Sequence, residues 1–222
     1  MIKKTIFHID VNSAFLSWEA AYRIHHLGGS LDLRLIPSAI GGSTEMRHGI
    51  ILAKSTPAKK YGITTGMTTV EAMQKCPGLY LAPPNYSLYQ RCSKAFLSIL
   101  REYTPDVEVY SIDEAFLDMT GVMHLYRNAV DVADEIRERI REELGFTVNV
   151  GISENKLLAK MAGELRKPDY THTLFPEEIP EKLWPLPVRE LFFCGRASEE
   201  KLKKLGIDTI GQLANASPDL LR

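Results

Sequence analysis

Several features that mark common classes of protein are absent from the 222-residue sequence. It has no apolar stretch long enough to cross a membrane, so we expect no membrane partner. It has three cysteines and no CxxC pair, which argues against a disulfide framework or a zinc site and favours reduced thiols in a cytoplasmic protein. Its formal net charge of −1 argues against a uniformly basic protein that binds nucleic acid over its whole surface.

An export signal is also missing. The sequence begins with a basic stretch, but Asp10 interrupts the residues that follow before a hydrophobic signal segment could form, so no signal peptide is expected. At the other end, the chain stops at Arg222, shortly after the helix start Ser217-Pro218. We therefore expect the sequence to be a fragment of a longer protein.

The positive charge that is present lies in three clusters. They consist of Lys54, Lys59 and Lys60, of Lys156, Lys160, Arg166 and Lys167, and of Lys201, Lys203 and Lys204. Local patches matter more for phosphate contact than net charge does, although each cluster could equally be a solvated helix face. In the second cluster, Lys156 and Lys160 are predicted on the side of their helix opposite the apolar residues Leu157, Leu158, Met161 and Leu165.

Periodicity predicts alternating strands and helices without an internal repeat. Helices are predicted over 14–27, 57–61, 68–75, 86–102, 128–144 and 154–166, and strands over 4–10, 33–40, 48–52, 146–152 and, as a hairpin, 107–119. From Tyr170 onward the pattern predicts short helical pieces, then a helix, a tight glycine turn and a second helix. The order indicates an α+β fold of the ferredoxin-like, split βαβ type, with helices on one face of the sheet.

The most informative segment is 107–119, where apolar and polar residues alternate on both sides of Asp113-Glu114. This alternation predicts a β-hairpin with the two acids at its tip. A third carboxylate, Asp10, ends an apolar run that predicts another strand. If these strands are neighbours, three carboxylates meet, and cations are needed to offset their repulsion. Hard oxygen ligands of this kind suit Mg²⁺ bound together with substrate phosphates.

Nearby residues have simpler interpretations. Asp113-Glu114, taken alone, could be a polar hairpin turn, which is common. Asp118 lies further along the same strand, and we expect it outside the set of metal ligands. His8 alternates with core residues and is expected to be a sheet residue with satisfied hydrogen bonds rather than a metal ligand.

Five segments together resemble the Y-family of lesion-bypass DNA polymerases. They are Phe7-His-Ile-Asp-Val-Asn-Ser-Ala-Phe15, residues 49–63, Tyr110-Ser-Ile-Asp-Glu-Ala-Phe-Leu-Asp118, residues 150–160, and Leu165-Arg-Lys-Pro168. The spacing of the segments also matches, and the resemblance covers essentially the whole chain. Within the family, the stretch Ala53-Lys-Ser-Thr-Pro-Ala-Lys59 looks closer to the UmuC-like and plasmid-type (ImpB/MucB/SamB) branch than to the DinB branch.

The resemblance implies a domain organisation and a function. It implies a catalytic palm over 1–18 and 78–168, an inserted fingers lobe over 19–77, and an α-helical thumb over 169–222 that contains a helix-hairpin-helix. A little finger domain, through which a sliding clamp would bind, would follow residue 222. The implied reaction is template-directed transfer of a nucleotide from a dNTP to the 3′-hydroxyl of primer-template DNA, in translesion synthesis and DNA repair.

The resemblance also assigns roles to the carboxylates. Asp10 and Asp113 would be shared by two Mg²⁺ ions, for which Mn²⁺ could substitute. Glu114 would complete the site of the ion that activates the primer hydroxyl. The backbone carbonyl of Val11 would add an oxygen ligand on the side of the incoming nucleotide.

Contacts to the nucleotide are implied for four further residues. Phe15 falls at the steric-gate position, where a flat ring leaves no room for a 2′-hydroxyl, although it could instead be a core aromatic of its helix. Lys59, Lys167 and Thr56 would contact the triphosphate. Many relatives have Tyr and Arg where this chain has Thr56 and Lys59, so altered nucleotide contacts are expected, and Lys59 could also be a solvated lysine.

In the implied thumb, Gly195 lies in a hairpin that would offer backbone N–H groups to a DNA phosphate. The hairpin keeps one of the usual two glycines, so this contact is expected to be weakened. Lys201 and Lys204 would add to DNA binding or simply solvate a helix face.

Two other functions are compatible with parts of the sequence. A nucleotide cyclase would use the same palm and two-metal carboxylates, but it needs neither the inserted lobe nor the C-terminal helices. A fragment that lacks its last domain could also act only as a DNA- or partner-binding module without catalytic activity.

Overall fold

The computed structural model of the chain describes residues 3–42 and 49–221. The strands are β1 (Ile6–Val11), β2 (Ser38–Gly41), β3 (Ile51–Lys54), β4 (Tyr80–Ala82), β5 (Val107–Val109), β6 (Glu114–Asp118), β7 (Val148–Ser153) and β8 (Thr171–Thr173). The α-helices are α1 (Ala14–His25), α2 (Thr56–Lys59), α3 (Thr69–Lys75), α4 (Tyr86–Tyr103), α5 (Ala129–Leu144), α6 (Lys156–Glu164), α7 (Ile179–Lys182), α8 (Arg196–Lys204) and α9 (Ile210–Ala214). Within these ranges, no helix is long and apolar enough to span a bilayer.

The main sheet has five strands in the order β5-β6-β1-β7-β8. The first strand of the sequence is therefore the central one, and it runs antiparallel to both neighbours. Its register sets Asp10 opposite Glu114 on one side and Asn149 on the other. The predicted hairpin and its pairing with the first strand are confirmed.

Helices cover both faces of this sheet. Residues Phe7, Ile9 and Val11 point to the face covered by α4 and α5, where the largest buried cluster of the protein lies. His8 and Asp10 alternate with them and point to the opposite face, where α6 packs. The expectation that the helices share one face is therefore wrong, because α6 connects the parallel strands β7 and β8 across the other side.

Helix α6 approaches the sheet very closely. A Cβ atom added to Gly151 on β7 would lie 2.0 Å from the carbonyl oxygen of Ala159 and 2.4 Å from the nitrogen of Gly163. The buried face of α6 consists of Ala159, Lys160, Met161, Ala162 and Gly163, whereas Leu157 is 46% exposed. The predicted apolar face is thus only partly correct, and Lys160 lies inside rather than on a solvated side.

A small second sheet, in the order β3-β2-β4, forms a lobe with α2 and α3 and has its own buried cluster. Strand β4 lies within the range predicted for the palm but pairs in parallel with β2. The strand predicted over 33–40 is a 3-10 turn at Leu33–Leu35 followed by β2. The strand predicted over 48–52 appears as β3, and its first residue, His48, lies outside the described residues.

The C-terminal region is helical, as predicted. Helices α8 and α9 are joined by a turn at Gly206, whose φ of 75° favours glycine. The region packs on α6 through a cluster in which Met161 and Ala162 meet Leu183 and Ile210. Strand β8, a three-residue edge strand, was not predicted from the sequence.

Candidate active site

The three predicted carboxylates lie where β1 ends and β6 begins. Asp10 and Glu114 are cross-strand partners, and the backbone N–H of Val11 donates to the carbonyl of Asp113 at 3.0 Å. Asp113 is the last residue of the loop between β5 and β6, and its Oδ1 accepts a hydrogen bond from Ser111 Oγ at 2.7 Å. Strand pairing therefore brings together acids that are about a hundred residues apart in the sequence.

The carboxylate of Glu114 is held by two basic side chains. His8 Nε2 lies 2.9 Å from Glu114 Oε2, and Lys160 Nζ donates to the same oxygen. Burial alone would raise the pKa of Glu114, but the hydrogen bonds from His8 and Lys160 and the charge of Lys160 lower it to about 2. The side chain is therefore an anion throughout the physiological range.

Asp10 is paired with a different lysine. Lys167 Nζ donates to Asp10 Oδ2 and, at 2.7 Å, to Glu164 Oε1. Burial raises the pKa of Asp10, and the neighbouring Lys167 ammonium offsets this only in part. Burial would lower the pKa of Lys167, but the charge and hydrogen bond of Asp10 raise it. The pair is thus an ion pair in which the carboxylate is mostly buried and the lysine side chain is 31% exposed.

Cations were expected to offset the repulsion between the clustered carboxylates, and lysine side chains do so in this structure. Here the offsetting cations are the ammonium groups of Lys160 and Lys167, each on one carboxylate. Among residues 3–42 and 49–221, no three His, Cys, Asp or Glu side chains are arranged as a ready metal-binding cluster. Asp10 and Asp113 nevertheless line one cavity together with Val11, so the donor set of hard oxygens fits a divalent cation such as Mg²⁺.

This cavity has a volume of about 250 Å³ and lies between the main sheet and the small lobe. Its walls are formed by residues of β1, α1, β3, α2 and the loops beside them: Asp10, Val11, Ser13, Ala14, Phe15, Leu52, Ala53, Lys54, Lys59, Thr65 and Asp113. Of the predicted nucleotide contacts, Phe15 and Lys59 line it together with the carboxylates. Thr56 and Lys167 are not among the lining residues.

The ring of Phe15 is half-buried and stacks on Tyr89, with centroids 4.5 Å apart and an angle of 7° between the planes. Phe15 packs against the hydrophobic core and also lines the cavity. It therefore combines the two placements considered for it, a core aromatic and a residue at the candidate site. Ser13, just before α1, has a left-handed backbone with φ of 49°. This turn leads the chain from β1 into α1 beside the cavity.

The second wall comes from the small lobe. Thr56 is exposed in the first turn of α2, whose N-terminus is capped by the side chain of Ser55. Lys54 Nζ donates to Thr65 Oγ1 at 3.1 Å. Burial and the charge of Lys59 lower the pKa of Lys54. Sequence reasoning singled out neither Lys54 nor Thr65 as a site residue, because Lys54 was seen only as one of a cluster and Thr65 carries no local motif.

The C-terminal region brings its predicted residues to a different surface. Gly195 is the residue before α8, with open space around its Cα. Lys201 and Lys204 are exposed on α8 and form no ion pair with any residue that the structure describes. Their neighbour Lys203 pairs with Glu199 at 2.9 Å. These side chains are available for phosphate contact but do not reach the carboxylates.

Sequence reasoning also missed the roles of His8 and Lys160 at Glu114. His8 was correctly expected to be a sheet residue, and it is fully buried. Its Nε2 contacts Glu114, but its Nδ1 has no hydrogen-bond partner among the described residues, so the expectation that its hydrogen bonds are satisfied is wrong for that atom. Its partner on α6 could have been suggested by one signal, the presence of a lysine among the small residues Ala159, Ala162 and Gly163. Only the packing of α6 on the sheet shows that this lysine faces inward.

Comparison with known proteins places this geometry in a class. The structure superimposes on the crystal structure of DinB from Sulfolobus solfataricus with a TM-score of 0.85 and 25% sequence identity, covering 98% of this chain and 62% of that one. An insertion ternary complex of Dbh DNA polymerase matches with a TM-score of 0.85 and 26% identity over the same shares of the two chains. The fold is that of the core of a Y-family DNA polymerase, with palm, fingers and thumb.

The sequence gives a more specific assignment. The impB/mucB/samB family matches residues 9–164, and the helix-hairpin-helix motif of that family matches residues 176–207. The chain therefore belongs to the impB/mucB/samB family. The predicted family, fold class and helix-hairpin-helix are confirmed.

Two curated proteins illustrate the likeness in sequence. DNA polymerase IV of Clostridium acetobutylicum is 51% identical over 221 residues, which are 100% of this chain and 55% of that protein. DNA polymerase IV 1 of Bacillus subtilis is 42% identical, covering 99% of this chain and 51% of that protein. The chain thus spans about half the length of these relatives. The finer expectation, a nearer likeness to the UmuC-like branch than to the DinB branch, stays a prediction.

Proposed function

We propose that this chain is the palm, fingers and thumb of a template-directed DNA polymerase that acts in translesion synthesis and DNA repair. The observation that carries the proposal is the cavity in which Asp10 and Asp113 meet Phe15 and Lys59 between the sheet and the small lobe. Membership of the family and the likeness to DNA polymerase IV proteins support it. The substrates would be primer-template DNA and dNTPs, in the cytoplasm.

The reaction joins the primer 3′-hydroxyl oxygen to the α-phosphorus of a dNTP and breaks the bond to the leaving pyrophosphate. Asp10, Asp113 and the carbonyl of Val11 would hold Mg²⁺ or Mn²⁺ in the cavity, and Glu114 would complete the site on the primer side. When bound, two such ions act as Lewis acids that stabilise the attacking and leaving oxygens. His8 and Lys160 keep Glu114 ionised, so its negative charge is available without a change of protonation.

The remaining residues would bind and select the nucleotide. Lys59 on the cavity wall and Lys167 beside Asp10 would offset the charge of the triphosphate, and Thr56 would contribute a hydroxyl if α2 moves toward the nucleotide. Phe15 presents a flat ring to the space where the sugar would lie. A ribonucleotide would place its 2′-hydroxyl against that ring, and the clash would reject it.

We also propose domain boundaries and DNA contacts for the rest of the chain. The palm would comprise 1–18 and 78–168, the fingers 19–77 and the thumb 169–222. In the thumb, Gly195, Lys201 and Lys204 would hold the DNA backbone independently of sequence. A sliding clamp would bind through a part of the protein that follows residue 222.

The proposal is tested by single-nucleotide primer extension at low salt and high protein concentration. Each dNTP is supplied separately with Mg²⁺ on templates that differ only in the templating base, and Asp113→Ala is the matched variant. We expect extension by the complementary nucleotide and its loss in Asp113→Ala. Extension that ignores the template base, or that persists in the variant, would contradict the proposal.

The two other functions are not favoured by the comparisons, since every relative named above is a DNA polymerase. The same assay separates them. If the fragment is only a binding module, it would retain DNA in an anisotropy titration but would not extend the primer, whereas the full-length protein would extend it. A cyclase would release pyrophosphate from a nucleotide in the absence of DNA.

A further inference from the structure

Lys160 is a buried lysine that lies between the β5–β6 hairpin, which carries Asp113 and Glu114, and the thumb. Lys160 on α6 is only 8% exposed, and its Nζ donates to Glu114 Oε2 and lies 3.4 Å from His8 Nε2. A buried ammonium group is costly unless its surroundings compensate its charge. One carboxylate oxygen and one imidazole nitrogen lie on the sheet side of this group, and Lys160 also lines a cavity of about 480 Å³ between α6 and the thumb.

Two aromatic rings lie beside the ammonium group. Lys160 Nζ lies 5.4 Å from the centroid of the Tyr110 ring and 5.0 Å from the centroid of the Phe192 ring. Both distances are within the range in which the negative face of an aromatic ring attracts a cation. Tyr110 belongs to the loop that carries Asp113, and Phe192 belongs to the thumb hairpin that precedes α8. The two rings also approach each other, with centroids 6.3 Å apart.

Phe192 is anchored, unlike its neighbour. Its backbone N–H lies 3.4 Å from the sulfur of Met161, and its side chain packs on the cluster between α6 and the thumb. Phe193 has a left-handed backbone with φ of 69° and is 83% exposed. The hairpin therefore presents one ring to Lys160 and one to solvent.

We propose that Lys160 is a positioning residue for Glu114, and that Phe192 of the thumb, together with Tyr110, holds Lys160 in place. The thumb hairpin would then help to orient a carboxylate of the palm without touching the substrate. The inference rests on the proposed function only in taking Glu114 as a catalytic group. Loss of the Phe192 ring would free the lysine to adopt other rotamers, and Glu114 would then spend less time in the orientation needed for the reaction.

The first test is spectroscopic and needs neither metal nor DNA. In protein labelled with ¹³C-lysine, the ε-methylene protons of Lys160 should be shifted upfield by the two rings, and Lys160→Met assigns the signal by removing it. We expect Phe192→Leu to move the signal toward the position of the exposed lysines, while Phe192→Tyr and Phe193→Leu leave it in place. An unchanged Lys160 signal in Phe192→Leu would overturn the inference.

The second test separates positioning from binding. We expect Phe192→Leu to lower kcat for nucleotide incorporation about three- to tenfold, with KM for the dNTP and affinity for DNA within about twofold of wild type. Phe192→Tyr, which keeps the ring, should restore kcat. In a Lys160→Met background, Phe192→Leu should have no further effect. A loss confined to DNA affinity, or an equal loss in both backgrounds, would contradict a role through Lys160.

The two tests distinguish this inference from the proposed function. If the wild-type chain and the full-length protein extend no primer, the proposed polymerase is wrong, and the lysine spectrum still decides whether the thumb holds Lys160. If extension occurs but the lysine signal does not respond to Phe192, the polymerase stands and the positioning role fails.

Discussion

The palm and the thumb differ in how their charged side chains are buried and in how far along the chain their ion-pair partners lie. In the palm, Asp10 and Glu114 are largely shielded from water, and each is bound by a lysine from a distant part of the chain. In the thumb, the basic side chains of α8 are exposed, and its ion pairs span ten residues or fewer, such as Glu199 with Lys203 and with Arg189. Long-range pairing fixes the palm carboxylates in one geometry, while the thumb lysines keep their rotamer freedom.

This difference corresponds to two kinds of task. A site that performs chemistry gains from side chains held rigidly, because misplacement of a catalytic group costs rate. A surface that follows a DNA backbone of any sequence gains from mobile point charges. We therefore expect palm substitutions to act on kcat or on folding, and thumb substitutions to act on affinity and salt dependence.

The largest effect is expected for Asp10→Asn. The amide removes the negative charge that a divalent cation needs and leaves Lys167 with Glu164 as its remaining ion-pair partner, so primer extension should fall by about a thousandfold or more. The matched control is Asp118→Asn, because Asp118 Oδ1 accepts from the N–H of Thr120 at 2.9 Å and an amide oxygen can replace it. Steady-state rates of both variants are compared. Equal losses would mean that activity responds to the loss of any carboxylate on this pair of strands, and Asp10 would then have no specific role.

The next largest effect is expected for Gly151→Ala. The new methyl group would collide with the backbone of α6 at Ala159 and Gly163, so the free energy of unfolding should fall by about 3 kcal/mol or more. Gly195→Ala in the thumb is the control, since nothing lies within 4 Å of the added atom, and its stability should stay within about 0.5 kcal/mol of wild type. Urea denaturation measures both. Similar stabilities would show that α6 can move away from the sheet.

A smaller effect on selectivity is expected for Phe15→Ala. Opening the space beside the stacked pair Phe15 and Tyr89 should increase ribonucleotide incorporation, relative to deoxynucleotide incorporation, about 10- to 100-fold. Tyr86→Leu is the control, because Tyr86 meets Phe15 edge-on at 6.3 Å but does not line the cavity. Competition assays with paired nucleotides give the ratio. A parallel loss of both activities would mean that Phe15 is structural.

The smallest effects are expected for Lys201→Gln and Lys204→Gln. Each should weaken DNA binding only a few-fold at physiological salt and reduce the slope of log affinity against log salt by about 1. Incorporation at saturating DNA should not change. Lys203→Gln is the control, because Lys203 is already paired with Glu199. Fluorescence anisotropy over a salt series gives the slopes. If the slopes of all three variants equal that of the wild-type protein, this helix does not contact the DNA.

Strand pairing was the most predictable part of the site. Alternation around Asp113-Glu114 and the apolar run before Asp10 predicted two strand segments whose carboxylates would meet if the strands were neighbours. The register of β1 and β6 sets Asp10 opposite Glu114 and confirms that they are. Such periodicity records which face of a strand is buried, and burial on a sheet face fixes register. The assignment of individual site residues beyond this placement stays a proposal.

Helix α6 was harder to predict, for physical reasons. Hydrophobicity favoured Leu157 for the buried face, but the close approach to Gly151 admits only small residues there. Lys160 is buried because Glu114, which lies 46 residues earlier, compensates its charge. Neither the close approach to Gly151 nor the ion pair with Glu114 can be predicted from the spacing of apolar residues along a helix. The short strands β4 and β8 were missed because three residues carry too little alternation.

The central position of β1 also governs the order in which this chain can fold as it is made. His8 pairs with residues of β6 and β7, and its contact with Glu114 alone spans 106 residues of sequence. At ordinary rates of translation, the first strand waits roughly ten seconds for its partners to emerge from the ribosome. The small sheet, whose strands all lie within residues 38–82, can close earlier. During that interval β1 lacks both of its neighbouring strands, and Phe7 and Ile9 can be covered only by the helices α1 and α4, which are made earlier.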